Sequence, residues 1–547
     1  MRASKNDMVR PIAGLVLGCA MAAAAHAQVQ AIPPGAISSE LLRQQQRERE
    51  RLDAQQRQQD PARVLEVPRA ADPTVPADDS LRFTLNALVF SDSAILSRGE
   101  LEAIAQPYLG REIGFAELKD VVSAVNRRYD ERGYATARAV LPAQRIEGGR
   151  VRIELVEGRV GEVKVEGLTY MRPGFVRERL DLPAGEVIDP QRLEAELSRY
   201  NRLYASSVTA ALQPGQRYGL TDVYVTVSEP PRNSLDVFVN NHGYDATGEA
   251  QAGLMFRHYG ALGGDDVFSL FAAGSRGSAV GSLSYDAPVN RRGTRAGVRL
   301  GKSRAEVVRG PFAALDSRSD SDNAEVFLSH PLWSNADWLL TGYLGYGYQR
   351  TTNHVSGVFL NENKVEGAKG EISALYLTPG TSLRLGLGYR RANSELLGTP
   401  STAGFDIWSG NWQASRNVGR NGFVSFSGAW QHAHREGLPS SQLFQIGGAT
   451  TVRGYRQGEL AGDGGVYGSV QANYRVDPRL TAFAFYDFGR IDASFIQPEK
   501  LESVGVGFSW QFSQRVSGEV TVGRPLLDVR PDQDHVRVNA QIVLRAF

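Results

Sequence analysis

The 547-residue chain sets 61 Lys and Arg against 60 Asp and Glu, a net charge of +1, so nothing draws it globally toward nucleic acid or acidic lipid. Its one cysteine, Cys19, excludes a disulfide framework and any cysteine-ligated metal site. With 58 glycines and 42% hydrophobic residues, the length exceeds one small domain and predicts two or more.

Arg2, Lys5 and Arg10 make a basic start, and Ile12 to Ala25 is a nearly unbroken run of apolar and small residues. Ala25-His26-Ala27 then offers the small-x-small pattern of a signal peptidase site, so residues 1–27 read as a signal peptide cut before Gln28. The run falls short of the roughly 20 residues a membrane-spanning helix needs. Val16-Leu17-Gly18-Cys19 is a competing lipobox, but the apolar stretch continues past Cys19 to the better site.

Residues 28–60 follow. From Ile37 to Gln59 they are dominated by Gln, Arg and Glu, with Ser38 or Ser39 able to cap a helix. Leu41, Leu42 and Leu52 are too few for a core-facing stripe, so this helix is either solvated or rests in a polar, water-filled channel. Residues 61–80, rich in proline and small side chains, read as a linker.

Residues 81–157 change character. Phe83 to Phe90 alternates like a strand; helices are predicted from Arg98 to Leu109 and from Phe115 to Arg132. Strands at Thr136 to Pro142 and Arg150 to Val156 complete the unit. The order repeats in residues 158–231: a strand from Gly161 to Gly167, helices at Arg172 to Leu180 and Pro190 to Leu203, strands at Val208 to Gln213 and Asp222 to Val227. Two β-α-α-β-β units of about 75 residues each are an internal repeat, large enough to fold singly. A free strand edge, that of the first unit above all, could take an extended peptide by strand addition.

From Asn233 onward no helix is convincing, and residues 232–547 read as alternating strands. Leu383, Leu385, Leu387 and Tyr389 alternate with Arg384, Gly386, Gly388 and Arg390; Val504, Val506, Phe508 and Trp510 alternate with Gly505, Gly507, Ser509 and Gln511. An apolar face with aromatics near the strand ends, opposite a polar face, is what a lipid-facing barrel requires. Sixteen such segments predict a transmembrane β-barrel in the outer membrane of a Gram-negative bacterium, in contact with outer-membrane lipid and lipopolysaccharide. A barrel of that size has a lumen that something must occupy, which brings the polar helix back as a candidate plug. Phe547 gives the aromatic C-terminus common in such barrels, yet it lies one residue out of step with Val536, Val538, Ala540, Ile542 and Leu544.

The segment 435–465 is long for a loop and contains Val452-Arg453-Gly454-Tyr455. Two strands on stands Phe485-Tyr486-Asp487-Phe488-Gly489, whose Phe485, Asp487 and Gly489 share one face by alternation, with Tyr486 and Phe488 toward lipid. Asp487 is thus expected in the lumen, where a guanidinium on an inward-folded loop could bind it through two parallel hydrogen bonds. The pair of motifs resembles the Val-Arg-Gly-Tyr loop and F-x-D-x-G strand signatures of outer-membrane insertases and transporters with POTRA domains and a sixteen-stranded barrel. Two POTRA-like units, the N-terminal polar helix and the length resemble most the two-partner secretion transporter (TpsB) family, of haemolysin/haemagglutinin secretion-activation type.

That resemblance covers essentially the whole mature chain. It implies a transporter carrying one large β-helical exoprotein (an adhesin, haemolysin or contact-dependent toxin) from periplasm to surface. The POTRA domains would capture the partner's N-terminal secretion domain, the helix would plug the resting pore, and the loop would be held through Arg453 and Asp487. An assembly factor for outer-membrane proteins is the alternative, and a passive porin the third reading; the porin needs neither motifs nor POTRA units. A neighbouring reading frame for a large repetitive exoprotein would favour secretion. No Ser-His-Asp or paired-carboxylate constellation marks an enzyme, and no nucleotide loop or cofactor motif is present: the glycines of Gly342 to Gly347 lie in an alternating strand. His432 and His434 lack a Cys, Asp or Glu cluster to complete a metal site and read as barrel wall.

Overall fold

The computed structural model describes residues 35–41, 64–66, 82–310, 313–335, 337–397, 402–493 and 496–547, so the predicted signal peptide lies outside the described residues, as do most of the polar helix and linker. Two small α+β units precede a closed antiparallel barrel of sixteen strands.

In the first unit, the strands Ala87–Phe90 and Arg138–Val140 flank the central strand Arg150–Val156, the former parallel to it and the latter antiparallel. Helix α2 (Arg98–Ala105; α1 is the segment 35–41, below) and helix α3 (Phe115–Glu131) cover one face of this sheet. Leu118, Val121, Val122, Val125 and Tyr129 recur at helical spacing on α3 and are buried, as the sequence periodicity predicts. Ser97 and Glu100 form a reciprocal capping box that starts α2. The predicted strand Phe83 to Phe90 is broken: Phe83–Thr84 pairs with Glu112–Ile113, and only Ala87–Phe90 joins the main sheet. Helix α2 stops at Ala105, ahead of Pro107, where a 3-10 turn takes over because the ring cannot continue an α-helix.

The second unit repeats this plan, with Arg159–Glu166 parallel to the central strand Leu220–Ser228, and Ser207–Pro214 antiparallel to it. Its helices are α4 (Pro173–Arg177) and α5 (Pro190–Leu203). Leu65–Glu66, from the stretch read as linker, adds a short parallel strand outside Ser207–Pro214, and Leu65 enters the unit's core.

The repeat extends to a detail that hydropathy does not reveal. In each unit the first and third strands are parallel, so the residue after the third strand lies beside the loop after the first. Glu157 accepts the Ala94 amide at 2.8 Å, the Ile95 amide at 3.3 Å and the Tyr129 hydroxyl at 3.1 Å. Glu229 occupies the same place in the second unit and accepts the amides of Thr169, Tyr170 and Met171 at 2.8–3.0 Å. Each carboxylate thus ties down the loop leading to the first helix at the junction where the chain leaves the unit.

The second unit is seated on the periplasmic turns of the barrel. Asp265, in the first turn, accepts the Ala205 amide and the Arg295 guanidinium, each at 2.8 Å. Burial pushes the Asp265 carboxyl up, against Arg295 and the two amides that pull it down. Arg172 donates its amide to Gly263 at 3.1 Å and Arg179 its guanidinium to Asn290 at 3.3 Å.

Barrel strands one to five (Asn233–Asn240, Gln251–Tyr259, Val267–Gly274, Ser278–Pro288, Arg295–Glu306) have 8, 9, 8, 11 and 12 residues. Strands six to ten (Ser317–Ser334, Trp338–Val355, Val358–Thr378, Thr381–Leu396, Thr402–Val418) have 18, 18, 21, 16 and 17. Strand sixteen, Arg537–Arg545, closes the cylinder on strand one through Asp236↔Arg545 to Asn240↔Gln541. Its Val538, Ile542 and Leu544 face outward and Asn539, Gln541 and Val543 inward. Beyond Arg545 the pairing with strand one continues irregularly: the Ala546 amide donates to the Leu235 carbonyl at 2.8 Å and the Leu235 amide to the Phe547 carbonyl at 3.2 Å, so two residues oppose one and Phe547 falls one residue out of the apolar phase. His432 lies in register with the outward Trp408, on the barrel wall.

Candidate functional site

The loop between strand eleven (Gly422–Ala433) and strand twelve (Gly464–Arg475) folds into the barrel as a small hairpin, Phe444–Ile446 paired with Leu460–Gly462. Its tip meets strand thirteen (Leu480–Ala493), and the two sequence motifs come together there residue by residue. Arg453 donates through Nε and Nη2 to the two carboxylate oxygens of Asp487, both at 2.8 Å, and through its amide at 2.9 Å. Its remaining donors reach Gln471 at 2.8 Å and Ser469 at 2.9 Å on strand twelve. The guanidinium also lies 3.5 Å from the Phe485 ring centre. Asp487 is 0% exposed and Arg453 9%, so the pair is a desolvated charge couple with both ends satisfied.

The flanking residues explain themselves by space. Phe485 folds its ring over Gly505, and Val452 packs on Gly489, where an added Cβ would stand 3.1 Å from Val452 Cγ2 and 2.9 Å from Ile446 Cδ1. Gly454 sits at φ 105°, a left-handed conformation that favours glycine, with Ser503 and Pro525 at its back. The Tyr455 hydroxyl lies 2.9 Å from the carbonyls of both Glu502 and Leu527 and accepts the amides of the same two residues at 3.3 and 3.2 Å. Gly489→Val should therefore unseat the loop by overpacking, at a cost of about 1–3 kcal/mol. Protease cleavage within 435–465 on intact cells should rise; an unchanged digest would refute the seat.

Two further elements stand around the loop, and the first carried no mark in the sequence. The last outer loop, residues 526–536, lies across it: Val529 packs on Tyr455 and its neighbours, Arg456 faces Asp532 at 3.2 Å, and Arg530 pairs with Glu459. Asp534 at 3.7 Å and Asp245 at 3.8 Å complete the acidic surroundings of Arg456. On the opposite side of the lumen sits α1, residues 35–41. Ser38 and Ser39 fall inside the helix, not at its cap; both hydroxyls donate to the Gly35 carbonyl. Ser38 also meets the hydroxyls of Ser319 at 3.2 Å and Ser321 at 3.1 Å. Ser303 donates to the Ser38 carbonyl at 2.7 Å, Gln349 to the Ser39 hydroxyl at 3.0 Å, and loop residue Gln445 to the Ala36 carbonyl at 3.0 Å. Ile37 and Leu41 complete the seat, buried against Phe238, Met255, Phe271 and Val280.

With this geometry, the comparisons are specific. Residues 219–511 match the haemolysin secretion/activation protein family ShlB/FhaC/HecB, and residues 83–158 match the ShlB-type POTRA domain. The chain belongs to this family. It is an outer-membrane transporter of two-partner secretion, with its POTRA domains on the periplasmic side. It is 25% identical over 533 residues to the outer membrane transporter CdiB of Dickeya dadantii, covering 89% of each chain. It is 23% identical over 467 residues to the heme/hemopexin transporter protein HuxB of Haemophilus influenzae, covering 78% of this chain and 80% of that one. The solved CdiB of Escherichia coli superposes with a TM-score of 0.67 at 21% identity, covering 95% of this chain and all of that one.

Proposed function

We propose that this transporter exports one large β-helical exoprotein, an adhesin, haemolysin or contact-dependent toxin, whose N-terminal secretion domain is captured by the two periplasmic units. Residues 1–27 are removed on export, 28–60 form a plug and 61–80 its linker, 81–157 and 158–231 are the two POTRA domains, and 232–547 the pore with the inward loop 435–465. The pore is closed at rest by α1, and Val452 to Tyr455 hold the loop against Phe485, Asp487 and Gly489. The observation that carries this reading is the double occupancy of the lumen, with α1 on the serine wall and the loop on Asp487. A porin needs neither occupant. The sequence offers no Gly-x-x-x-x-Gly-Lys phosphate loop, and folding of the cargo outside supplies direction.

The test is secretion in cells producing this chain with an exoprotein that carries an N-terminal secretion domain. Surface display should require both the chain and that domain. Outer-membrane proteins assembling poorly without the chain, while the exoprotein reaches the surface regardless, would turn the reading toward an assembly factor.

A further inference from the structure

Asp265 and Asp266 stand side by side where the first periplasmic turn runs into strand three, and they serve opposite sides of the wall. Asp265 holds the second periplasmic unit through Ala205. Asp266 turns outward to Tyr285, which shares the lipid-facing side of strand four with Leu283. The Asp266 carboxylate is 1% exposed; it accepts the Leu262 amide at 3.1 and 3.2 Å and the Tyr285 hydroxyl at 3.2 Å. The guanidinium of Arg295, on strand five, is committed to Asp265 and Asp286. Among the described residues no cation comes within ion-pair distance of Asp266, an unfavourable state for a buried carboxylate.

Beside Asp266 is a cavity of about 320 Å³, enclosed by this turn, the end of strand four and helix α4. Two glycines let α4 come so close: a Cβ on Gly263 would stand 2.7 Å from Arg172 Nε, and one on Gly264 3.1 Å from the Phe175 ring. Glu178 on the rim is already paired with Arg291 at 3.2 Å. Arg172 is not: one of its nitrogens donates to the Leu262 carbonyl, and among the described residues no carboxylate reaches ion-pair distance of it. The cavity thus sets an unpaired carboxylate against an unpaired guanidinium that stand too far apart to meet. Its depth in the membrane follows from strand length. Strands two and three have 9 and 8 residues, no more than a crossing needs, so their periplasmic ends lie among the phospholipid headgroups of the inner leaflet. Tyr285, with its ring toward lipid and its hydroxyl on Asp266, fits that level.

We propose that this cavity binds the headgroup of a phosphatidylethanolamine-type lipid, a primary ammonium next to a phosphate diester, bridging α4 of the second POTRA domain and the barrel rim. The ammonium supplies the cation that Asp266 lacks, in a charge-assisted hydrogen bond. The phosphate lies against the Arg172 guanidinium. The acyl chains leave past Leu262, 62% exposed, toward the apolar outer face of the strands. A zwitterion answers both unpaired charges at once, which an anionic headgroup does not.

Native mass spectrometry of the full-length chain, released from detergent micelles with dioleoyl-phosphatidylethanolamine and dioleoyl-phosphatidylglycerol added in equal amounts, tests the site. The two lipids share phosphate and acyl chains and differ in the ammonium. A single ethanolamine lipid should be retained per chain, in preference to the glycerol lipid by about tenfold or more, as a hydrogen bond to a charged group implies. Asp266→Asn should abolish the preference, and Arg172→Gln should lower retention of both lipids. Ala287→Trp, which fills the cavity from strand four, should also lower both, and serves in place of Asp266→Asn if that variant does not yield a folded, heat-modifiable barrel. Equal retention of the two lipids, a preference for the glycerol lipid, or a preference that survives Asp266→Asn or Ala287→Trp would overturn the site and leave an ordinary lipid annulus.

Discussion

Alanine at Asp487 is expected to release the inner loop while the barrel remains closed and inserted. Arg453 would be left nearly buried with three of its donors unanswered, and removing one partner of such a pair costs about 3–5 kcal/mol. At about 1.4 kcal/mol per tenfold, that shifts the balance between seated and released loop by roughly two to three and a half orders of magnitude. The sixteen-strand ladder contains neither residue's side chain, so the cylinder and its insertion should persist. Arg453→Ala removes the other half and should also let the barrel assemble while secretion falls sharply. Asp487→Asn should be milder than Asp487→Ala, because the amide oxygen can still accept one of the Arg453 bonds. Because the two residues act as one unit, the double alanine variant should be no worse than the more severe single one. Loop accessibility to protease and the amount of secreted exoprotein are the readouts. Normal secretion by a correctly inserted Arg453→Ala protein would remove the loop from the transport mechanism.

The second large effect concerns the plug. In a planar bilayer, the mature chain should give small, intermittent conductance, and the chain lacking Gln28 to Asp60 a large and steady one. The expectation of intermittency follows from magnitudes. Hydrogen bonds from wall and loop to α1 through Ser303, Ser319, Ser321, Gln349 and Gln445 contribute about 0.5–1.5 kcal/mol each. Burial of Ile37 and Leu41 adds about 1.5–3 kcal/mol each. Against them stands the entropy of ordering the segment, about 1–2 kcal/mol per residue. The two sides are comparable, so a plug that leaves at intervals is expected and a permanent seal is not. Identical conductance with and without the segment would leave the barrel standing and take away its plug.

The parts of this fold that repeat in sequence were readable there. Alternation over Leu383 to Arg390 or Val504 to Gln511 states a strand with one wet and one oily face, and α3 declares its buried stripe through Leu118, Val121, Val122, Val125 and Tyr129. The approach of Arg453 to Asp487 was anticipated because a charge in a lumen needs a partner, and alternation already turned Asp487 inward. Ser469 and Gln471 could have been found in the same way, since they share the inward face of strand twelve. What joins the site from elsewhere carried no such mark. Val529, Arg530 and Asp532 belong to a loop without period, and their place over the inner loop depends on where strand fifteen (Val516–Pro525) ends and strand sixteen begins. Glu157 and Glu229 were missed because what they share is a set of backbone amides as partners, and amides look alike in every sequence. The seat of α1 was half legible: its polarity suggested a wet channel, but the apolar contact of Ile37 and Leu41 needs the curvature of a barrel to exist.

The unequal strand lengths have a consequence for the far side of the membrane. A tilted strand crosses the hydrocarbon in about 9–11 residues, a length that strands one to five scarcely exceed. Strand eight, with 21 residues, carries a surplus of roughly ten, or about 30 Å along its own axis at 3.3 Å per residue. The mouth of the barrel is therefore a parapet, low on one side and tall on the other, and the tall side continues strands six to eight of the wall that now holds α1. A polypeptide emerging along that wall meets open water on one flank only. Its first segments would have a sheet on the other flank.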